Sequence, residues 1–281
     1  MARIKASPRA PLDYARALPL QIWLGVVLLF LYLPLLVLFV FSFNDSRRTT
    51  VWRGFTLEWY GKLFENEGIR DAMLNSLLIA AACTVLSVIL GALMAFMFWR
   101  FKFPFKSGLE GGMSLPIVVP EICMGVALLI FFARINWPND LPWPVNLTPI
   151  IIAHVTFSFP FVAIVVRARL ESFNRELEAA ALDLGASQWQ AFRDVIVPHM
   201  GPGLIAGALL AFTLSLDDFV ITFFVGGPGS VTFPVKIYSM VRFSVTPEVN
   251  AASTVLIVIT VIATALALRM QSKFAKEGQG S

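Results

Sequence analysis

The chain contains six long apolar stretches separated by polar connections. A helix needs about 20 apolar residues to cross the hydrocarbon layer of a bilayer, and lipid offers no hydrogen-bond partner to an open backbone. Each stretch therefore predicts a membrane-spanning helix. The six predicted helices lie near residues 20–43, 73–98, 111–134, 149–167, 203–225 and 250–268.

The composition agrees with a membrane protein. Hydrophobic residues make up 57% of the chain and charged residues 14%, whereas a soluble domain carries about 25% charged residues. The formal net charge is +4, but the Lys and Arg side chains lie in the connections, so membrane orientation explains them better than nucleic-acid binding. Cys83 and Cys123 both lie in apolar stretches, which indicates neither a disulfide framework nor redox chemistry. We therefore expect an all-α polytopic membrane protein, with residues 1–281 forming a single transmembrane domain.

The basic residues predict the orientation of the helices, because Lys and Arg are retained on the cytoplasmic side of a membrane. Four regions on one side carry fourteen of them, and the opposite connections carry seven. Both termini are therefore predicted to be cytoplasmic. The inner set is Arg3, Lys5, Arg9, Arg16, Arg100, Lys102, Lys106, Arg167, Arg169, Arg175, Arg193, Arg269, Lys273 and Lys276; the outer set is Arg47, Arg48, Arg53, Lys62, Arg70, Lys236 and Arg242.

Two of the predicted helices are interrupted by proline. Pro116 and Pro120 fall in the third and Pro160 in the fourth, and a proline inside a membrane helix frees carbonyl groups that must be satisfied within the protein. Broken helices of this kind often line a transport pathway. The first outer connection, residues 44–72, is long enough for a short interfacial helix, which would carry Trp59.

The longest inner connection, residues 168–202, has the pattern of two short helices. The first begins near Asn174, Gly185 permits the positive φ that ends it, and Ser187 is a candidate cap for the second. From spacing alone, this helix-turn-helix could simply tie two membrane helices together, or it could dock a partner.

The same connection resembles the signature of binding-protein-dependent ABC importer permeases, which has a Glu-Ala-Ala triplet, a glycine and a downstream Leu-Pro at fixed spacing. Counting from Gly185 places alanine at all three triplet positions, while Glu178 stands one residue early, about 100° around a helix. The resemblance implies an ATPase-coupling role for Glu178, Ala179, Ala180, Ala181, Gly185, Val195 and Pro198.

In that family the segment is the coupling helix, which lies in a cleft of an ATP-hydrolysing subunit. Leu182 and Leu184 are candidate anchors for such a cleft. The chain itself lacks the Gly-x4-Gly-Lys-Ser/Thr pattern that binds nucleotide phosphates. We therefore expect no enzymatic activity and no cofactor in this chain, with ATP and Mg²⁺ used by the partner ATPase.

Three acidic residues lie within the predicted helices: Glu121 in the third, and Asp217 and Asp218 in the fifth. No Lys or Arg lies deep in any predicted helix, and an ionised carboxylate at the bilayer centre costs at least about 2.5 kcal/mol. The acids therefore need a transported cation, protonation, or a basic residue from another subunit, and we favour the transported cation. His154 and His199 are isolated in sequence, without metal-ligand spacing, and receive no function.

The fifth predicted helix sharpens the resemblance. Its string Phe212-Thr-Leu-Ser-Leu-Asp-Asp218 is similar to that of spermidine/putrescine permeases, as are Gly227-Pro-Gly229, Ile237-Tyr-Ser-Met-Val-Arg242 and Pro247-Glu-Val-Asn-Ala251. By position, the resemblance implies a substrate-binding and translocation role for Trp59, Glu121, Ser215, Asp217 and Asp218. Which of the two adjacent aspartates faces the pathway is left open.

The resemblance implies a type I ABC importer permease fold in a bacterial inner membrane and uptake of putrescine or spermidine. The implied partners are a second related permease subunit, two ATP-binding subunits and a periplasmic polyamine-binding protein. The alternatives are an ABC permease for another solute such as ferric iron or an anion, an ion-coupled secondary transporter, and a purely structural membrane subunit. Acids in the helices argue against an anion, and secondary transporters more often have twelve helices or an inverted repeat.

Overall fold

A computed structural model describes residues 18–46, 51–138, 141–243 and 246–277 of the chain. These ranges are helical apart from turns, loops and one isolated β-bridge between Asn44 and Phe55. The all-α prediction is confirmed. The α-helices are α1 Leu18–Phe41, α2 Glu58–Glu65, α3 Glu67–Arg100, α4 Lys106–Val118, α5 Glu121–Arg134, α6 Thr148–Glu171, α7 Arg175–Asp183, α8 Gln188–Ala191, α9 Val197–Leu216, α10 Val220–Val225, α11 Phe233–Phe243 and α12 Pro247–Glu277. Six residues used in the orientation prediction lie outside the described ranges: Arg3, Lys5, Arg9, Arg16, Arg47 and Arg48.

Five stretches of the described chain are long and apolar enough to cross a membrane, and a bent pair of helices makes a sixth if it is one span. The first, second, fourth and sixth predicted helices correspond to α1, α3, α6 and α12. The short helix expected in the first outer connection is α2, whose Leu63 is buried against the bundle. A 3₁₀ turn, Val145–Leu147, leads into α6.

The third predicted helix, residues 111–134, is the bent pair α4 and α5, whose axes differ by 108°. The break falls at Val119, which is extended with φ −72° and ψ 130°. Pro120 explains this conformation, because a proline disfavours the helical region for the residue before it. Pro116, by contrast, is accommodated inside α4. A kink was expected here, but the bend is much sharper.

The prediction of one continuous fifth helix over residues 203–225 is wrong. It begins earlier, with α9 at Val197, and stops at Leu216, so that Asp217 to Phe219 separate it from the short α10. The apolar length of the stretch concealed this break, because length reports the residues available to a span and not their backbone conformation. The break places both aspartates outside regular helix.

The centre of the bundle is the packing of α6 between α3 and α9. Val162 in α6 is fully buried, and it faces a glycine on each side. A Cβ atom added to Gly91 would lie 2.8 Å from Val162 Cβ, and one added to Gly207 would lie 2.8 Å from Val162 Cγ1. Small residues at such contacts allow membrane helices to approach closely, which is the main source of their packing energy.

The N-terminal part of α3 is joined to the chain that connects α10 with α11. The Asn75 amide donates to the Val231 carbonyl at 3.0 Å, and its oxygen accepts from the Trp143 indole at 3.0 Å. The Ser76 hydroxyl accepts from the backbone N–H of Phe233 at 2.8 Å. These bonds fix the start of α11 relative to α3.

The packing around Val162 predicts a specific pattern of stability changes. Gly207→Ala should lower the unfolding free energy of the purified protein in detergent by about 1–3 kcal/mol, because the new methyl group overlaps Val162 Cγ1. In a Val162→Ala background that overlap is gone, so the same substitution should cost little or nothing. Thermal unfolding of the four variants measures the difference.

A matched control for this cycle is Gly25→Ala, in the middle of α1, where an added Cβ has no atom within 4 Å. It should not reduce stability. An equal loss from Gly207→Ala in both backgrounds would contradict the close contact with Val162.

Candidate functional site

The break between α9 and α10 is stabilised by the side chain of Asp218. Its Oδ1 accepts from the backbone N–H of Thr222 at 2.9 Å and its Oδ2 from that of Ile221 at 3.4 Å. Aspartate favours this capping position because its short carboxylate reaches the free N–H groups at the start of a helix. The cap matters more in a bilayer than in water, since lipid cannot satisfy an exposed backbone N–H.

His154 joins this break to α6. The imidazole is 2% exposed; its Nδ1 lies 2.7 Å from the hydroxyl of Ser215, and its Nε2 lies 2.9 Å from the hydroxyl of Thr222. The Nε2 atom is also 3.2 Å from Asp218 Oδ1. Four polar side chains from α6, α9, the break and α10 therefore form one buried cluster, which we call the His154 cluster.

The hydrogen bonds of the His154 cluster indicate which nitrogen of the imidazole ring carries the proton. The Thr222 hydroxyl donates to Asp218 Oδ1 at 3.0 Å, which uses its only proton. Both neighbours of His154 Nε2 are then acceptors, so Nε2 carries a proton. In the neutral ring, Nδ1 accepts from the Ser215 hydroxyl.

No set of three or more His, Cys, Asp or Glu side chains that could hold a metal ion occurs in the described part of the chain.

Asp217 points away from the His154 cluster. Asp217 is exposed, whereas Asp218 is buried and has 9% of its surface accessible. The side chain of Asp217 lines a groove of about 380 Å³ between the break, α11 and α12. The groove is otherwise formed by Phe219, Phe233, Pro234, Ile237, Tyr238, Val241, Ser253 and Leu256. We call it the Asp217 groove.

Glu121 stands at the other break in the bundle. It is the first residue of α5, directly after Pro120, and its side chain is exposed. The first turns of α5 pack against α10, since a Cβ atom added to Gly125 would lie 3.0 Å from the Phe224 ring and 3.5 Å from Ile221 Cα. Neither Glu121 nor Asp217 takes part in an ion pair among the residues that the structure describes. The two broken spans thus bring two unpaired carboxylates to the same part of the molecule.

Trp59 is not part of this constellation. Its indole N–H donates to the carbonyl of Asn44 at 2.8 Å, and the ammonium of Lys62 lies 4.8 Å from its ring centroid. Trp59 does not line the Asp217 groove. Of the five residues nominated for the substrate, Ser215 and Asp218 meet in the His154 cluster, Asp217 and Glu121 are exposed, and Trp59 lies elsewhere on α2.

The predicted helix-turn-helix is present as α7 and α8. The side chain of Asn174 caps α7, accepting from the Glu176 N–H at 3.0 Å. Gly185 has φ +90° and follows α7, and Ser187 forms a reciprocal capping box with Gln190 at the start of α8. The tip of this hairpin presents apolar surface to its surroundings, since the Leu184 residue is 89% exposed.

Glu178 faces the bundle instead of solvent. Its carboxylate pairs with the guanidinium of Arg100, the last residue of α3, at 2.8 Å. Next to this pair, the Arg175 guanidinium lies 5.0 Å from the centroid of the Trp99 ring. The offset of Glu178 by one residue from the signature position therefore has a structural counterpart, because it directs the carboxylate toward α3.

The remaining residues of the signature differ in exposure. Ala179 and Ala180 are exposed on α7, whereas Ala181 is half-buried. Val195 lies in the π-helical turn Phe192–Ile196 and packs against the core around Val162. Pro198 lies in the first turn of α9, directly after the π-helical turn.

Residues 87–277 match the family model described as the binding-protein-dependent transport system inner membrane component. The chain belongs to this family of ABC importer permeases. The permease is 41% identical over 244 residues to the putrescine transport system permease protein PotI of Escherichia coli K12, covering 84% of this chain and 85% of the relative. It is 38% identical over 247 residues to the spermidine/putrescine permease PotC of the same organism, covering 87% and 91%.

The fold of the permease is also found among solved structures. A bacterial ABC transporter involved in the import of the acidic polysaccharide alginate matches with a TM-score of 0.68 and 18% identity, covering 94% of both chains. At this identity the likeness concerns the fold alone. It confirms the predicted type I importer architecture.

Family membership defines the general role of the permease. It is a multi-pass inner-membrane component of an importer that depends on a binding protein, and ATP hydrolysis belongs to a separate ATPase. The permease family binds no cofactor itself. The alternatives of an ion-coupled secondary transporter and of a purely structural subunit are thereby excluded.

Sequence reasoning missed His154 and the partner that it provides for Asp218. The expectation that no basic side chain accompanies the acids is wrong for Asp218. The three partners of His154 come from residues 61, 64 and 68 positions away, so no local spacing reveals the cluster. The signal available was the position of a histidine inside a span, where polar side chains face the protein interior.

The two aspartates should respond differently to the same substitution. Asp218→Ala should lower the unfolding free energy of the permease in detergent by about 1–3 kcal/mol, because it leaves two backbone N–H groups and the His154 ring without their acceptor. Asp217→Ala should change it by no more than about 0.5 kcal/mol, since its carboxylate is exposed. Thermal unfolding of the purified permease measures both values.

His154→Ala completes the comparison. Its effect and that of Asp218→Ala should be less than additive in the double variant, because the two side chains belong to one hydrogen-bonded cluster. Equal stability losses from Asp217→Ala and Asp218→Ala would contradict the assigned roles.

Proposed function

We propose that this permease carries polyamines, putrescine or spermidine, into the bacterial cytoplasm. It would do so together with a second related permease subunit, two ATP-binding subunits and a periplasmic polyamine-binding protein, with residues 1–281 acting as one transmembrane domain. The similarity to PotI and PotC supports the substrate class.

The observation that carries the proposal is the unpaired carboxylate of Asp217 in an otherwise largely apolar groove. A carboxylate that faces a largely apolar groove favours a positively charged partner, and the described residues form no ion pair with Asp217. A diamine has a cationic group for the carboxylate and a methylene chain for the apolar walls. Glu121, near Asp217, offers a second carboxylate to an extended substrate.

The break that presents Asp217 also suits a pathway that opens and closes. Irregular backbone is tolerated at membrane depth where it is buried in protein or lines a cavity. We propose that the Asp217 groove lines the pathway on the side of the membrane opposite to α7, with both termini cytoplasmic. Ser215 and Asp218 then act by holding the break in shape, and Trp59 contributes to the outer part of the molecule.

Uptake experiments test the substrate. In proteoliposomes that contain the full complex, labelled putrescine and spermidine should accumulate in an ATP-dependent manner. Asp217→Asn should raise the half-saturation concentration about 10- to 100-fold, because a charge-assisted hydrogen bond to the ammonium group becomes a neutral one. Glu121→Gln should have a smaller effect in the same direction.

The matched control is Glu65→Gln, which removes an exposed carboxylate at the end of α2, outside the Asp217 groove. It should leave uptake unchanged. ATP-dependent uptake of ferric iron or sulfate in place of the two amines would overturn the proposed substrate, and unchanged amine uptake in Asp217→Asn would remove the proposed site.

We also propose that α7 is the coupling helix and docks in a cleft of the ATPase. The support is the surface of the hairpin: small alanine side chains on α7 permit close approach, and Leu182 and Leu184 are exposed as anchors. The ion pair of Glu178 with Arg100 would hold the docked helix against α3. Val195 and Pro198 would fix the return of the chain into α9.

Gly185 provides the test of this docking. Gly185→Val should uncouple ATP hydrolysis from uptake, because a β-branched residue cannot adopt φ +90° without strain and the hairpin must change shape. Gly185→Asn should retain coupling, since asparagine tolerates positive φ and a Cβ here has no atom within 4 Å. Retention of both transport and stimulated ATPase activity in Gly185→Val would count against the assignment.

A further inference from the structure

We infer that Phe219, Phe223 and Tyr238 form an aromatic wall that binds the alkylammonium end of the substrate next to Asp217. The inference rests on the proposed function and assigns to these three rings a role in recognising the cation and its methylene chain. We call them the aromatic wall.

The three rings are in mutual contact and come from the break, α10 and α11. The centroids of Phe219 and Tyr238 are 4.7 Å apart, those of Phe219 and Phe223 are 5.4 Å apart, and those of Phe223 and Tyr238 are 6.5 Å apart. Phe219 belongs to the break and Tyr238 to α11, and both line the Asp217 groove. The wall therefore begins directly beside the carboxylate, two positions along the chain from it.

The rings are accessible although they pack against one another. Tyr238 is 50% exposed and Phe223 is 53% exposed. Tyr238, which lines the groove, is therefore open to contact with a ligand, whereas Phe157 is buried in the core. Here a half-exposed cluster borders an unpaired acid.

Charge and surface chemistry together select the ligand. Asp217 is the one carboxylate among the residues that line the groove, so it attracts a cation and repels an anion. Aromatic faces attract organic ammonium groups through their quadrupole and also pack against methylene groups. Ile237 and Leu256 add aliphatic surface. A hydrated metal ion would gain the charge interaction but could not use the apolar surface, so the wall favours an alkyl amine.

The aromatic wall also connects α3 with the break between α9 and α10. The Phe233 N–H at the start of α11 is held by Ser76 of α3, so the Tyr238 side of the groove is fixed to α3 while the Phe219 side belongs to the break. A substrate between Asp217 and Tyr238 contacts both parts at once.

The test compares ring-removing with ring-retaining substitutions in the reconstituted full complex. Tyr238→Leu and Phe219→Leu should each raise the half-saturation concentration for labelled putrescine about 2- to 30-fold, because each removes one cation–π contact. The maximal uptake rate and thermal stability should change little. Tyr238→Phe keeps the ring and should resemble the parent.

The control is Tyr32→Leu, which removes a tyrosine of similar exposure, 58%, from α1 outside the groove. It should leave the half-saturation concentration unchanged. If the parent takes up neither putrescine nor spermidine, the proposed function and the wall both fail. If Asp217→Asn impairs uptake while Tyr238→Leu and Phe219→Leu behave like the parent, the wall alone is wrong and the proposed function stands.

Discussion

The capping of α10 by Asp218 holds the break between α9 and α10 in shape, and the Asp217 groove is built on that break. A membrane helix that stops inside the bilayer exposes backbone N–H groups, and the lipid leaves them unsatisfied at a cost of several kcal/mol each. Asp218 accepts two of them and is in turn held by His154 and Thr222. With one aspartate committed to the backbone, its neighbour is turned outward into the Asp217 groove. The buried acid thus supports the break, and the exposed acid faces the Asp217 groove without an ion pair to any described residue.

The close packing of α3, α6 and α9 provides the rigid body on which this region is built. Val162 fits between Gly91 and Gly207, so the three helices approach one another more closely than larger residues would allow. His154 lies on the same helix as Val162, two turns earlier. The His154 cluster is therefore fixed to the tightest part of the bundle, and the break inherits its position from that packing.

Much of the fold follows from local sequence, whereas the site depends on contacts between distant residues. Apolar length predicted the spans, and the turn chemistry of Asn174, Gly185 and Ser187 predicted the hairpin, because each of these signals acts within a few residues. The stop at Leu216 and the role of His154 were not predictable in the same way. Both arise from side chains on separate helices, and a continuous apolar stretch gives no sign of them. Pro120 was read as a kink, but a bend of 108° also depends on how α4 and α5 pack against the other helices.

The ion pair between Glu178 and Arg100 joins α7 to the C-terminal end of α3. One end of this uninterrupted helix of 34 residues, about 50 Å at the usual rise, is fastened to α7, and Asn75 and Ser76 near the other end hold the chain that enters α11. A shift of α7 is therefore resisted along the whole length of α3. The single-residue offset of the glutamate thereby ties the position of α7 to both ends of the bundle within one polypeptide.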